Sequence, residues 1–157
     1  MFVLDSLVEV PGISVSGHEN FVYVDNNNRV YGTESFLTTD VAFAGEHIML
    51  WEIEDKTYKI RGHNVQKASI NENIVAFYSN DIPISSGPYI FNSLPGLIIK
   101  LQDRFNTYEF VSIEKIEMDN FDDIVQDQLD TLKEFPEPVA TNELLKFREI
   151  AYKSLTN

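Results

Sequence analysis

Between two strand-like runs, Ile74–Tyr78 and Leu97–Gln102, the chain carries three prolines and two glycines within a single connection. Pro83, Pro88 and Pro95 lock φ and withhold an amide donor, so none of them can sit inside a central strand. Gly87 and Gly96 admit turns that other residues resist. The segment Ile82–Leu97 is therefore predicted to lie outside regular strands, as a rigid loop holding Tyr89, Phe91, Leu94 and Leu97 in set places. Whatever sheet the chain builds must accommodate this loop.

The flanking sequence says what kind of sheet it is. Phe21–Val24 and Val30–Thr33 surround Asp25-Asn26-Asn27-Asn28, a run tolerant of turn conformations, and predict a hairpin. Met49, Trp51 and Ile53 alternate with Leu50, Glu52 and Glu54, after which a turn is expected at Asp55-Lys56. Tyr58 and Ile60 then alternate with Lys59 and Arg61. Val65–Ile70 and Ile74–Tyr78 flank Asn71-Glu72-Asn73. Leu97, Ile99 and Leu101 share a face, and Asp103–Asn106 turns into Thr107–Ile116. Strands joined by such short turns run antiparallel, because a parallel crossover needs about a dozen residues or more.

Near Asn120 the period changes to that of a helix. Phe121, Ile124, Val125, Gln128, Leu129 and Leu132 form one stripe, Asn120 is placed to cap, and Asp122 and Asp123 suit the positive helix start. Pro136 and Pro138 end that helix. Thr141 can open a second, with Leu144, Phe147, Ala151 and Leu155 on one face. The fold class predicted is mainly β: a curved antiparallel meander, a partial barrel, over 1–118, followed by two α-helices in 119–157, all within one domain.

Composition narrows function by exclusion. A formal net charge of −13 argues against nucleic acid and anionic membrane surfaces as partners. Without cysteine the chain has no disulfide, thiolate nucleophile or Cys-ligated metal. No run reaches the roughly 18 apolar residues of a membrane helix. Met1–Val10 lacks a basic region and is interrupted by Asp5 and Glu9, so it is not expected to be a signal peptide.

A family resemblance enters through several motifs in succession: Trp51-Glu-Ile-Glu-Asp, Lys59-Ile-Arg-Gly, Lys67-Ala68, Ala76-Phe-Tyr78, Asp81-Ile-Pro-Ile84, Gly87-Pro88, Phe91 and Leu94-Pro-Gly-Leu-Ile98. In these the chain resembles the GLPGLI family, small exported proteins of Bacteroidota often encoded near outer-membrane transport proteins. The resemblance covers 48–116. It implies a periplasmic or envelope location if a signal peptide was removed, and otherwise a cytoplasmic one. It also implies a protein or peptide partner, with outer-membrane transport machinery a candidate, but no established reaction. Three departures stand out: Ser93 replaces the family's first glycine, Phe77 its usual tryptophan, and Val65 a common cysteine.

Nothing in the residue spacing adds a catalytic constellation. His18, His47 and His63 are 29 and 16 residues apart, too far for ligands on one strand or helix. Between 117 and 137 eight acids face Lys133 alone, yet no glycine supports a calcium loop there, so a solvated helix face is the simpler reading, with a docking surface for a basic partner as the alternative. Ser85-Ser86-Gly87 lacks the Gly-x-Ser-x-Gly frame of a hydrolase elbow. No metal and no cofactor is expected.

The plausible contact residues are the aromatic and apolar groups of the proline loop, Tyr78, Tyr89, Phe91 and Leu94. They either rim a binding cleft or plug the end of the core. The function expected is that of a non-enzymatic envelope binding domain recognising a peptide, a protein or an apolar ligand. The alternatives are a structural subunit of a larger assembly and a hydrolase with His47 or His63 brought to a carboxylate only by the fold.

Overall fold

The computed structural model describes residues 2–3, 21–25, 27, 29–36, 39–115, 119–135 and 137–156. The chain divides into two compact units, one of Met1–Val10 with Ile48–Glu117, the other of Pro11–His47 with Met118–Asn157. The fold is mainly β with two C-terminal helices, as the periodicities predict. The strands form two principal sheets of four and five, both open rather than closed into a barrel.

In the first unit, β1 (Phe2–Val3) pairs with β10 (Glu114–Lys115). The main sheet is an antiparallel meander of β5 (Glu52–Ile60), β6 (His63–Asn71), β7 (Ile74–Ser79), β8 (Leu97–Gln102) and β9 (Thr107–Glu109), in that order. The turn expected at Asp55-Lys56 is instead a bulge within β5, where the register with β6 shifts between Ile53 and Thr57. The turn falls at Arg61-Gly62, both with positive φ, +50° and +86°. Gly62 adopts that conformation without penalty, which neither Asp55 nor Lys56 can do as readily. Met49 and Trp51 precede the strand, and the strand expected over 107–116 stops at Glu109.

One face of this sheet is core. Ala68, Ala76 and Leu101 lie side by side across three strands, with Tyr78 and Ile98 paired beside them, all buried. Loop 80–96 has no regular strand and lies against this sheet. Ile98 N–H donates to the Ser86 carbonyl at 3.1 Å, and Leu97 N–H to that of Ile82 at 2.9 Å. A side chain on Gly87 would collide with the Ile98 side chain and one on Gly96 with the Ser79 backbone, so the closest approaches of loop to sheet are made where no Cβ exists.

In the second unit, β2 (Phe21–Val24), β3 (Arg29–Phe36) and β4 (Thr39–Glu46) form the meander, and β11 (Val139–Ala140) joins β4 in parallel. The β2–β3 hairpin falls where predicted; β4 had no counterpart in the sequence reading. Val30, Thr33, Ala42 and Phe43 are buried, and the Phe43 ring occupies the space a side chain at Gly32 would need. Helix α1 (Phe121–Thr131) follows the predicted stripe, but Asn120 makes no side-chain cap bond and none of its residues is fully buried. Thr141 precedes α2 (Leu144–Thr156) and reaches across to the Val30 carbonyl at 3.4 Å. Arg148 on α2 faces Glu34 on β3 at 3.7 Å.

Candidate functional site

The second face of the five-stranded sheet is divided. At one end Val65, Leu97 and Ile99 form a buried cluster under Ile82, Phe110 and Ile113, with Tyr58, Ile60 and Phe77 at its margin. Beyond that margin the sheet is more open: Lys67, Val75, Phe77 and Lys100 are half-buried, and Gln102, Thr107 and Glu109 are exposed. Lys67, Phe77, Lys100 and Glu109 are direct cross-strand neighbours from β6 to β9, and Ser69, Val75, Gln102 and Thr107 make the next row. Antiparallel sheets commonly leave one face to water, and here a phenylalanine sits between two lysines in the cross-strand row.

The charges of this row are tied down. Lys67 Nζ donates to Glu54 at 2.6 Å, and Tyr58 Oη donates to the other carboxylate oxygen at 3.0 Å. Lys56 lies over the Tyr58 ring at 4.9 Å, and Tyr58 meets Phe77 edge-on at 5.7 Å. Across the sheet Arg61 and Lys100 hold the two oxygens of Glu109 at 2.6 and 3.1 Å. The hydrogen bond from Lys67, then that from Tyr58, keeps Glu54 below the usual carboxylate range. Lys100, then Arg61, does the same for Glu109. The bond to Glu54 raises Lys67 and Tyr58. These shifts hold Glu54, Glu109 and Lys67 in their charged forms and Tyr58 as a neutral donor, so the face carries fixed charges rather than groups poised to exchange protons.

The two open rows end in a shallow hollow of about 210 Å³ lined by Glu72, Asn73, Val75, Gln102, Asp103 and Arg104. Its shape is set by the β8–β9 turn, where the buried Asp103 carboxylate accepts the backbone N–H groups of Phe105 and Asn106 at 2.7 and 2.6 Å.

The residues singled out from the proline loop lie elsewhere. Tyr78, Phe91 and Leu94 are 1%, 0% and 1% exposed, so their side chains are core material in this unit. The Tyr78 hydroxyl donates to Gln66 at 3.1 Å, and burial pushes its pKa up. Only Tyr89 is half-buried, its ring 6.4 Å from that of Phe91. Tyr89 and Ser93 both hold left-handed backbone, φ +56° and +68°. The position where the resemblance leads one to expect glycine is thus one that glycine fits best. Ser93 keeps its place through its hydroxyl, which donates to Asn92 at 2.7 Å and accepts from Met49 N–H at 3.3 Å, while Trp51 Nε1 donates to the Asn92 carbonyl at 2.8 Å.

His18 lies outside the described residues. His47 is buried, its Nε2 has no hydrogen-bond partner among the described residues, and desolvation lowers its pKa. His63 is half-buried, edge-on to the Phe110 ring at 5.8 Å. Among the described residues no three His, Asp or Glu side chains group as metal ligands. On α1, Asp122, Asp123, Asp127 and Asp130 are exposed, as a solvated face requires. The open sheet face itself was missed in the sequence, although the alternation of Lys67, Ser69 and Val75, Phe77 was there to be read; its exposure depends on how far along the sheet the covering residues Ile82, Phe110 and Ile113 reach.

Comparison with known proteins adds little function. The family model that matches covers residues 52–100, from β5 to within β8, and is described as a protein of unknown function (Porph_ging). It is not GLPGLI by name, but it is likewise a small uncharacterised family. No curated protein matches the chain. Among solved structures, PNGF-II in the P21 space group is similar at 26% identity and TM-score 0.48, over 86% of this chain and 25% of that one. PNGF-II in the C2 space group gives 27% identity and TM-score 0.44, over 82% of this chain and 23% of that one. The chain therefore spans a quarter or less of that protein's length, and nothing of that protein's activity follows for it.

Proposed function

We propose that the chain is a non-enzymatic binding domain of the cell envelope, and that a protein or peptide partner docks on the open face of the five-stranded sheet. The observation that carries this is the row Lys67–Phe77–Lys100, an aromatic ring framed by two lysines in a chain of net charge −13. Aromatic anchors beside charges of both signs suit a docking surface, which gains burial from the ring and orientation from the charges. The direction of the pKa shifts supports binding over acid–base catalysis. The envelope location rests on the resemblance to exported proteins. Of Tyr78, Tyr89, Phe91 and Leu94, Tyr89 alone keeps accessible surface, beside the buried Phe91 ring.

Photo-crosslinking in cells of the native bacterium tests this reading. A photoreactive residue replacing Val75 or Gln102 is expected to capture a discrete partner in the envelope fraction, and Phe77→Ala is expected to abolish the adduct. Adducts formed only from a control position on α1, such as Asp122, would overturn the sheet face as the docking surface. Recovery of the chain in the cytosolic fraction alone would overturn the location.

A further inference from the structure

The five-stranded sheet has two unequal edges among the described residues. One is β9, with three residues; the other is β5, with nine, and its outer side pairs with no described strand. A long free edge is a template for another strand, and proteins blunt such edges with charges and bulges. The charges on β5 are sorted rather than mixed. Glu52, Glu54 and Asp55 fill its first half; Lys56 and Lys59, with Arg61 in the turn, fill the second. Glu54 and Arg61 are held internally, whereas Glu52, Asp55 and Lys59 are exposed and make no ion pair among the described residues.

An acid-then-base strand is complementary to itself when it runs antiparallel. Around a two-fold axis the acidic half of one copy faces the basic half of the other, twice over. Parallel pairing would instead oppose like charges. The bulge at 54–56 spans the border of the two blocks and falls on the axis, with 52–53 and 57–60 as the regular arms that set Glu52 of one copy against Lys59 of the other. Apolar surface is also exposed in and just before this strand: Ile53 is 46% exposed, and Ile48 and Leu50, leading into it, are 70% and 83% exposed. We infer that β5 is a homotypic edge, at which two copies of this chain join antiparallel into one continuous sheet. This goes beyond the binding role proposed above and leaves the open face uncovered, so either can fail without the other.

Strand-edge pairing buries less than the roughly 1,200 Å² of a standard interface, so the pair is expected to be weak, with Kd on the order of 10 µM. In sedimentation equilibrium the wild-type chain should climb with concentration from 18.0 kDa towards twice that mass. Reversing the acid block (Glu52→Lys with Asp55→Lys) or the base block (Lys56→Glu with Lys59→Glu) places like charges on both arms and should leave each variant monomeric. An equimolar mixture of the two variants should recover the dimer, which also shows that both are folded. A wild-type chain monomeric at about 100 µM would overturn the inference. So would a dimer indifferent to both reversals, or a mixture no more associated than its components.

Discussion

The two units of this chain hold themselves together by different means. In the unit of strands β5–β9, neighbours distant in sequence stack apolar rows: Ala68, Ala76 and Leu101 are each 0% exposed, and loop residues Ile90, Phe91 and Leu94 are nearly as deep. In the unit of β2–β4 and the helices, the fully buried residues among those described are few and include Thr33 and Thr141, while α1 has none. Charge divides the same way. Residues 11–47 and 118–157 contain fourteen acids and five bases, against eleven and seven in the remainder. One unit is built on desolvated packing and the other leans on a solvated, acidic helical surface. Substitutions of the same chemistry should therefore differ in effect between the units.

The largest difference is expected for phenylalanine. Phe91→Ala removes a fully buried ring and should destabilise by about 3–5 kcal/mol, whereas Phe147→Ala on α2, at 39% exposure, should lose roughly 1 kcal/mol. Urea unfolding measures both, and a small loss at Phe91 would return that residue to the rim of a binding cleft. Next come the leucines. Leu101→Ala should destabilise by about 2–5 kcal/mol, while Leu129→Ala, half-buried on α1, should lose about 1–2 kcal/mol. A neutral Leu129→Ala would mean that α1 contributes no packing.

Acid separates the units by where stability begins to fall. His47 has a folded pKa below its ordinary 6.5, so its unfolded form binds the proton first, and stability present above pH 6.5 declines as the pH drops through that window. Glu54 and Glu109 are also lowered, from 4.5, so their contribution is complete above that pH and is lost only below it. Hydrogen exchange against pH should show His47→Gln flattening the decline that starts near 6.5, and Glu54→Gln affecting only the acidic limb. The reverse assignment would break the comparison.

Smaller still is Ser93→Gly. Relief of a left-handed residue is worth about 1–2 kcal/mol, and loss of the bonds to Asn92 and Met49 offsets about 1 kcal/mol, so the melting temperature should barely move. The smallest effect belongs to the acidic helix. Asp127→Asn with Asp130→Asn should leave melting unchanged within error, because the Asp130–Lys133 pair at 2.6 Å is exposed and screened.

Much of the fold was legible. Period-2 alternation marked the second half of β5 and β8, the turn Asn71-Glu72-Asn73 marked the β6–β7 hairpin, the run Asp25–Asn28 marked the first hairpin, and the prolines kept 80–96 out of the sheet. The misreadings have local causes. Asp55-Lys56 has the composition of a turn, but pairing of Thr57–Ile60 with His63–Gln66 keeps the chain extended and makes a bulge of it. The strand β4 hides because Asp40, Ala42, Ala44 and Gly45 carry little strand propensity; its pairing with β3 over the full length makes it a strand. The site was less legible. Tyr78, Phe91 and Leu94 look alike whether they rim a cleft or fill a core, because sequence records a residue's hydrophobicity and not which neighbours cover it.

By itself the order of residues determined an antiparallel β protein with a stiff proline loop, two C-terminal helices and an acidic surface, since these follow from periodicity, fixed φ angles and charge, all local properties. Only the tertiary structure decided that the strands form two open sheets, that loop residues Phe91 and Leu94 are buried while Ile82 covers one end of the second face, and that Lys67, Phe77 and Lys100 meet in one row beyond that end. Those outcomes depend on register and on which face is buried, and both are settled by contacts between residues far apart in the chain.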